Sequence, residues 1–401
     1  MKRKILVILL STCLVLVGLV SLLGCGNKTS SAPYNLILAN NDDMALGAIA
    51  SLGSNEAKNI PIIGVDALPG AQDAVNAGTM AATVKQQGEL MAKATVDISA
   101  KILNDGLTPL DALAATPYGT EQEYADVDLD VGLSNLNYTK KDGVVRIPYL
   151  PYTGANRQSE DKNTQATNTR ASIPTDVKIS VMIFQQENAY MTSVVKAFEE
   201  EFSASGMLSD NYTFYYGETN QETQNSQVDT EVGKEVDLLI VNPVDPYATQ
   251  NILNKANSKN IPIIFINKQD PQFDYATNNT IYIGSDLDGG GAMQGKIVAD
   301  LLKTGGKFAA QKQDNSEVKI RAMVLFGERG HPDAIYRTLT WIVSAQKELE
   351  GTGIVIDFES KIDSNENIKY MPTGQDWTID GAKATIDSLK VSPGFQSPKN
   401  L

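Results

Sequence analysis

The hydrophobic and polar positions of this chain follow two recurrent patterns. Short apolar runs, typical of strands buried on both faces, are each followed by an amphipathic stretch with helical spacing. One such series spans residues 34–110, and a second spans residues 177–389. This alternation predicts an α/β fold in which parallel sheets are flanked by helices.

Two polar segments interrupt the alternation. Residues 111–143 are predicted to be an inserted loop, and residues 154–176, rich in Asn, Thr, Gln and Ser, to be a flexible linker. The predicted strands are 34–39, 60–65, 80–84, 144–150, 177–184, 212–216, 236–241, 261–266, 281–283, 320–326 and 354–358.

The first 24 residues have the pattern of an export signal, with basic residues at 2–4 and an apolar run over 5–23. The small residues before Cys25 resemble the lipobox of bacterial lipoproteins. That resemblance implies cleavage before Cys25, lipidation of Cys25, and a spacer over 25–33. A transmembrane anchor is the alternative, because the run is nearly long enough to span a bilayer.

Composition excludes several classes of function. The 401 residues suffice for two or more domains, and the net charge of −14 argues against nucleic-acid binding, which needs a basic surface. The only cysteine besides Cys25 is Cys13, inside the signal, so the mature chain has no disulfide and no thiolate metal site. Asp126, Asp128 and Asp130 resemble the start of a calcium loop, but the glycine and the twelfth position do not fit, so we predict no metal.

The run GERGHPDAIYR at 327–337 carries the most specific chemistry. It follows the apolar run 320–326 and opens an amphipathic helix, with proline at a first helical position. His331 is the only histidine, and Asp333 and Arg337 share a helix face at i,i+4 spacing. These side chains lie at the carboxyl end of a strand, where α/β sheets bind ligands. The alternative is a helix cap with a surface ion pair.

Polar side chains follow several other predicted strands. Parallel strands place their carboxyl ends on one rim, so these groups should converge, with two aromatic residues at helix entries beside them. Hydrogen-bonding groups beside aromatic rings suit a polyhydroxylated sugar. Each Asn or Asp alone could be a helix cap, and the tryptophan could be core packing. The residues are Asn41, Asp66, Asn188, Asn267, His331 and Asp333, with Tyr190 and Trp377 as the aromatics.

Four runs resemble the bacterial galactose/glucose-binding protein family of ABC transporters. They are NNDDMA at 40–45, GVDALP at 64–69, NPVDP at 242–246, and the run 328–337. The resemblance implies a periplasmic-binding-protein type 1 fold, with two α/β lobes joined by a hinge that close on one sugar.

The order of the resembling segments differs from that family. Residues 34–152 resemble the family's C-terminal third, and residues 177–401 its first two thirds, which indicates a circular permutation. The linker would then join the family's usual termini. The resemblance implies one lobe from 34–86 plus 286–401, with strand 144–150, and another from 87–110 plus 177–285.

The resemblance also implies roles for individual residues. Tyr190 and Trp377 match the aromatic rings that stack on the sugar. Asn188 stands where the family has aspartate, and Gln86 where it has asparagine, which leaves the identity of the sugar open. Residues 311–318 lack the carboxylates of the family's calcium loop, so no calcium is expected. The hydrogen-bonding positions match Asn41, Asp66, Asn267, His331, Asp333 and Arg337.

The function implied is a monomeric lipoprotein on the extracytoplasmic face of the membrane, anchored through Cys25. It would deliver glucose or galactose to an ABC permease, without a cofactor. A sensory module that presents the sugar to a chemoreceptor or histidine kinase is the alternative. A hydrolase is disfavoured because no serine or cysteine nucleophile is placed beside His331. A glycoside hydrolase, which needs only two carboxylates at the right spacing, is a less favoured alternative that the sequence leaves open.

Overall fold

A computed structural model of the protein describes residues 34–119, 143–154, 171–276, 278, 280–304, 306–310, 317–328, 331–358 and 377–390. Several predictions fall outside these residues: the signal over 1–24, the lipidation of Cys25, the spacer, most of the insertion and most of the linker. Most of the 311–318 segment, for which no calcium was expected, also lies outside them. Within the described part, no helix is both long enough and apolar enough to cross a membrane.

The first lobe contains a six-stranded sheet in the order β12-β11-β1-β2-β3-β5, parallel except for the antiparallel edge strand β5. Its strands are β1 (Leu36–Ala39), β2 (Ile62–Val65), β3 (Ala82–Gln86), β5 (Tyr149–Thr153), β11 (Val318–Leu325) and β12 (Ile354–Phe358). Its helices are α1 (Asp42–Leu52), α2 (Ser54–Ala57), α3 (Pro69–Asn76), α9 (Gly289–Thr304), α10 (Pro332–Leu349) and α11 (Ile379–Lys390).

The second lobe contains a six-stranded, wholly parallel sheet in the order β4-β10-β9-β8-β6-β7. Its strands are β4 (Val144–Ile147), β6 (Ile179–Ile183), β7 (Tyr212–Tyr216), β8 (Leu238–Val241), β9 (Ile263–Ile266) and β10 (Ile281–Ser285). Its helices are α4 (Gly88–Asp105), α5 (Pro109–Ala114), α6 (Ala189–Ala204), α7 (Gln221–Gly233) and α8 (Thr249–Asn257).

The predicted α/β class with two parallel-sheet lobes is confirmed. The central strands, such as β1, β2, β8 and β9, are buried at every position, which explains why they read as continuous apolar runs rather than alternating ones. Helices on both faces of each sheet keep these strands from water and leave the carboxyl ends of the strands free to form a site.

The prediction of a single strand over 144–150 in the first lobe is wrong. Val144–Ile147 pairs with β10 in the second sheet, whereas Tyr149–Thr153 pairs with β3 in the first. Pro148 lies between them and has no N–H to donate to a ladder, so the strand divides there. The polypeptide therefore crosses between the lobes at this proline.

Two predicted loops are more ordered than expected. Residues 111–114 belong to α5, which Thr108 caps and Pro109 begins, and Ala112 and Leu113 are buried in the core of the second lobe. At the other loop, Ile173 is buried, its N–H donates to Ser205, and Asn211 donates to the carbonyl of Thr175. A flexible linker over 154–176 is therefore wrong for residues 171–176, which pack on the second lobe.

Three connections join the lobes within the described residues: β3 to α4, β4 to β5, and β10 to α9. They also bind one another, because Gln87 donates to the carbonyl of Pro148 and Arg146 pairs with Asp286. Gly290 lies so close to Tyr149 that a Cβ there would be 2.9 Å from its ring. These tightly packed connections form the hinge region.

The two sheets have the same strand order only if β1 to β3 are counted after β12. In the second sheet the chain runs through β6, β7, β8, β9 and β10, and the corresponding positions in the first are β11, β12, β1, β2 and β3. Helix α11 packs beside α1, where Ser51 donates to Asp387 at 2.6 Å. Thus β1, the first strand described, takes a place in the middle of its lobe's topology.

Candidate functional site

The carboxyl ends of the two sheets face a cavity between the lobes, with about 440 Å³ of unfilled space that includes solvent at its open side. All ten residues predicted as site residues line it, so the structure brings them together. The first lobe contributes Asn41, Asp66, Gln86, His331, Asp333, Arg337 and Trp377, and the second contributes Asn188, Tyr190 and Asn267, together with Phe184 and Lys268.

The N-terminus of α10 positions His331. Its Nδ1 accepts a hydrogen bond from the N–H of Asp333 at 3.2 Å, so His331 caps the helix and Pro332 begins it. Burial, and then the charges of Lys268 and Arg337, hold the pKa of His331 well below its usual value. The imidazole is therefore neutral, with its proton on Nε2, and Nε2 is a hydrogen-bond donor.

Arg337 is the most constrained side chain of the site. Its guanidinium donates to the carbonyl of Asn40 at 2.9 Å, to the hydroxyl of Tyr149 at 3.3 Å and to Asp333 at 3.3 Å. Burial acts to lower its pKa, but Tyr149, Asp333 and Asp66 outweigh burial and raise it. The side chains of Arg337 and Asp333 are 4% and 13% exposed, so the alternative of a surface ion pair is wrong.

Asp66 lies in a strained turn after β2. Its φ is 113°, far from the usual backbone regions, and Gln86 donates to its Oδ1 at 2.7 Å. Burial raises the pKa of Asp66 to about 7, despite the opposing effects of Arg337 and Gln86. The carboxyl group can therefore either donate or accept a hydrogen bond near neutral pH.

A buried carboxylate behind the cavity holds this turn. Asp42 accepts from the hydroxyl of Thr83 at 2.6 Å and from the N–H of Leu68 at 2.7 Å. Gly64 has to be glycine, because a Cβ there would be 2.2 Å from Asp42 Oδ1. The run 64–69 therefore serves to present Asp66 rather than to contact a ligand along its length.

Trp377 is attached to the first lobe by its neighbours. Asn41 caps α1 through its Oδ1 and donates from Nδ2 to the carbonyl of Trp377 at 3.0 Å. The indole meets His331 edge to face, with the ring centroids 5.2 Å apart. A Cβ on Gly327 would lie 2.4 Å from the indole, so only glycine leaves room for the ring. The cap interpretation of Asn41 is correct, and the same side chain also positions Trp377.

The second lobe supplies amides and aromatic rings. Asn188 caps α6 through Oδ1, which accepts from the N–H of Met191 at 3.0 Å. Asn267, at the end of β9, has a φ of 63° and donates to the sulfur of Met191 at 3.5 Å. Burial raises the pKa of Tyr190 well above its usual value, so its hydroxyl stays protonated.

Positive φ angles occur at three residues that line this cavity. Three of the site residues, Asp66, Asn267 and Trp377, are among the non-glycine residues with positive φ in the described part. Such conformations cost about 1–3 kcal/mol each and persist only where surrounding contacts enforce them. The chain thus adopts unfavourable backbone geometry at the points where these side chains reach the cavity.

Comparison with known proteins identifies the fold family. A family model described as a periplasmic binding protein domain matches residues 20–107 and 179–391. The chain belongs to this family.

Individual relatives of this periplasmic binding protein match over shorter stretches. The D-galactose/methyl-galactoside binding periplasmic protein of Haemophilus influenzae is 33% identical over 190 residues, 46% of this chain and 53% of that protein. The ribose import binding protein of Bacillus subtilis is 27% identical over 131 residues, 33% of this chain and 41% of that protein. The chain thus spans about half the length, or less, of the curated relatives it matches.

A solved structure shows similarity at a lower level. The periplasmic solute binding protein from Actinobacillus succinogenes, solved with bound D-allose, is 21% identical, covers 45% of this chain and 58% of that one, and has a TM-score of 0.37.

Sequence reasoning missed two residues of the periplasmic binding protein's cavity. Lys268 directly follows Asn267, and its ammonium donates to the carbonyl of Val244 at 3.1 Å and lies 3.8 Å from the centroid of the Phe184 ring. Burial lowers the pKa of Lys268 to about 8. Phe184 and Lys268 both follow the ends of strands, and this position was the signal that could have identified them. In the sequence alone, however, a phenylalanine there is typical of the core and a lysine is typical of the surface.

Tyr149, outside the cavity lining, was also missed. It begins the edge strand β5, and its hydroxyl accepts a hydrogen bond from Arg337. Burial raises its pKa to about 12.

No group of three or more His, Cys, Asp or Glu side chains arranged to hold a metal ion occurs in the described part of the chain.

The raised pKa of Asp66 makes the stability of the ligand-free protein depend on pH. Because its folded pKa of about 7 exceeds the ordinary 3.8, its contribution to the free energy of unfolding is complete below about pH 4 and is lost as the pH rises to about 7. Asp66→Asn cannot titrate, so it should match the parent at pH 4 and be more stable at pH 8. Thermal unfolding of both proteins over this range tests it, and a pH-independent difference would contradict it.

Proposed function

We propose that this protein binds one hexose between its lobes and delivers it to an ABC permease. The observation that carries the proposal is the lining of the cavity, in which aromatic rings from both lobes, Tyr190 and Trp377, accompany a ring of hydrogen-bonding groups. The apolar faces of a pyranose stack on aromatic rings, while its hydroxyls need both donors and acceptors.

The donors and acceptors are already oriented by the protein. His331 Nε2 and Arg337 are donors, and the carboxylate of Asp333 and the amide oxygen of Gln86 are acceptors. Since each group is held by a second contact, little side-chain freedom remains to be lost on binding. Closure of the lobes about the three connections would then complete the ring around the sugar.

The names of the relatives support the sugar class. One is described as binding D-galactose or methyl-galactoside and another as a ribose import binding protein. Glucose or galactose is our specific proposal for the ligand. We propose binding rather than catalysis, because the relatives are described as binding proteins and no serine, threonine or cysteine stands beside His331 among the described residues that line the cavity.

Calorimetric titration of the purified protein with D-glucose, D-galactose, D-ribose and D-xylose tests this function. Saturable, one-to-one binding of at least one hexose is expected, with the pentoses weaker because they lack one hydroxymethyl group. Absence of binding by every hexose would remove the proposal. Release of nitrophenol from a nitrophenyl glycoside would instead indicate a hydrolase.

We also propose that the protein is anchored to the membrane. Lipidation at Cys25 would hold the protein on the extracytoplasmic face, beside its permease. Cys25→Ser should move the protein from the membrane fraction to the soluble fraction of cells. Equal membrane association of the two proteins would contradict the anchor.

We also propose that the chain is a circular permutation of its family. The identical strand order of the two sheets, reached only when β1 follows β12, supports this. A reordered chain in which residues 171–401 precede residues 26–154 should fold with similar thermal stability and bind the same sugar. A reordered chain that is insoluble, or that folds without binding, would count against it.

A further inference from the structure

Met191 lies behind the wall that the second lobe contributes to the cavity. It stands in the first turn of α6, is fully buried, and is not itself part of the lining. Its sulfur accepts hydrogen bonds from Nδ2 of Asn267 at 3.5 Å and from Nδ2 of Asn242 at 3.3 Å. Its backbone N–H donates to Oδ1 of Asn188 at 3.0 Å. This one residue therefore contacts three asparagine side chains, two of which line the cavity.

The contacts with Met191 orient these two amides in opposite senses. The Nδ2 of Asn267 points to the buried sulfur, so its Oδ1 is left as an acceptor for a ligand. The Oδ1 of Asn188 is occupied by the N–H of Met191, so its Nδ2 is left as a donor. The second lobe thus presents one amide oxygen and one amide N–H to the cavity.

The main chain of Asn267 is fixed independently of Met191. Its N–H donates to the carbonyl of Ile283 at 3.1 Å, and its carbonyl accepts from the hydroxyl of Tyr282 at 2.7 Å. The remaining freedom is rotation of the side-chain amide. Within the described residues, the sulfur of Met191 is the one hydrogen-bond partner of that amide. Without the sulfur, a half turn exchanges the positions of the oxygen and the nitrogen.

The position of the sulfur is fixed by Asn242. This asparagine begins the run 242–246, which contributes no residue to the lining of the cavity. It is fully buried, its N–H donates to the carbonyl of Met182 at 2.8 Å, and its carbonyl accepts from Nε2 of Gln224 at 2.9 Å. A thioether is a weak acceptor, so its fixed location matters more for orienting Asn267 than the strength of one bond.

We propose that Met191 is a positioning residue that determines sugar specificity, by holding Asn188 as a donor and Asn267 as an acceptor. This inference rests on the proposed function, since the ligand is the same neutral hexose. A sugar hydroxyl that faces Asn267 has to donate its proton, and one that faces Asn188 has to accept. An analogue that fails this requirement leaves a polar group of the site unpaired and is rejected.

Met191→Leu tests the role of the sulfur, because it removes the acceptor at nearly constant volume, a change that cores tolerate. In calorimetric titration with D-glucose and D-galactose, its affinity should be about three- to tenfold below that of the parent. Its unfolding temperature should be nearly unchanged. The matched control is Met182→Leu, on β6 of the same lobe, where a fully buried side chain packs in an apolar cluster with Val228 and Leu239. That variant should bind like the parent.

The effect of Met191→Leu should pass through Asn267. Asn267→Gly deletes the amide and tolerates the φ of 63° at this position, and it should weaken binding by itself. Adding Met191→Leu to Asn267→Gly should then change the affinity by less than about twofold, since the group that the sulfur orients is already gone. A general loss of packing would instead weaken both backgrounds equally.

Deoxyfluoro derivatives of the two hexoses report the orientation of the amide, because fluorine cannot donate a hydrogen bond. Fluorine at the hydroxyl that faces Asn267 should weaken binding to the parent by about tenfold or more. That position is identified as the one whose penalty disappears in Asn267→Gly. In Met191→Leu the penalty should shrink to about threefold, because the freed amide can turn its N–H toward the fluorine.

A measurement on the ligand-free parent protein depends on no variant. Nuclear Overhauser contacts are expected between the ε-methyl protons of Met191 and the Nδ2 protons of both Asn242 and Asn267. These contacts report the arrangement of the amides before any sugar is added.

The outcomes separate this inference from the proposed function. Parent affinity in Met191→Leu, additive effects with Asn267→Gly, an unchanged fluorine penalty or missing contacts between Met191 and Asn267 would each overturn the inference, while hexose binding by the parent stands. If no hexose binds, the proposed function fails and this inference fails with it.

Discussion

Asp333→Ala is expected to weaken sugar binding by about 100-fold or more and to lower the stability of the ligand-free protein as well. The carboxylate is a buried acceptor of the cavity and the partner of Arg337, and removing it leaves that guanidinium without its balancing charge. Because Arg337 is buried, the loss of this partner should lower the free energy of unfolding by about 3 kcal/mol. Calorimetric titration measures the first effect and thermal unfolding the second.

A matched control separates this role from the general effect of losing an ion pair. Asp105→Ala removes the carboxylate of another i,i+4 pair, with Lys101, which lies exposed on α4. That variant should bind sugar like the parent, because an exposed pair contributes little. Normal binding by Asp333→Ala would mean that the ligand site has been misplaced.

Trp377→Ala should weaken binding by about 30- to 1,000-fold. The indole is the aromatic wall of the first lobe, and it also packs against His331 and lies 5.9 Å from the Arg337 guanidinium. Its loss removes the stacking surface and frees the groups beside it, and truncation of an aromatic anchor of a binding site costs about 2–4 kcal/mol. Trp377→Phe, which keeps a ring, should recover most of the affinity in the same titration.

Gly327→Ala gives an independent test of the same ring. The added methyl group would lie 2.4 Å from the indole, so Trp377 has to move although its own identity is unchanged. This variant should lose affinity in the same direction as Trp377→Ala while unfolding at nearly the same temperature. Full affinity in both variants would show that the indole does not contact the ligand.

Much of this architecture is predictable because burial leaves a local pattern. The wholly buried strands had to be apolar runs, and the groups that reach the cavity had to stand where those runs end. This rule located six of the ten predicted site residues, including Asn41 and Asn267, whereas Gln86 rested on the family resemblance alone. The caps of α1, α6 and α10 reinforced it, since Asn41, Asn188 and His331 both begin helices and line the cavity.

The errors have a common physical origin. Residues 144–153 look like one strand in the sequence, but the sheet that each half joins depends on a partner distant in the chain. The first half, β4, pairs with β10, and the second half, β5, pairs with β3. Likewise, the packing of Ile173 depends on the surface of the second lobe rather than on its neighbours in sequence. Local composition cannot report contacts of this kind.

The sequence by itself determined the alternation of strands and helices, the caps and the set of polar and aromatic residues at the strand ends, because hydrophobic period and cap chemistry are local properties. Only the tertiary structure decided which lobe each segment joins, that Arg337 and Asp333 are buried rather than exposed, and that the ammonium of Lys268 lies over the ring of Phe184. Those outcomes depend on desolvation and on the geometry between lobes, which arise only when distant segments meet.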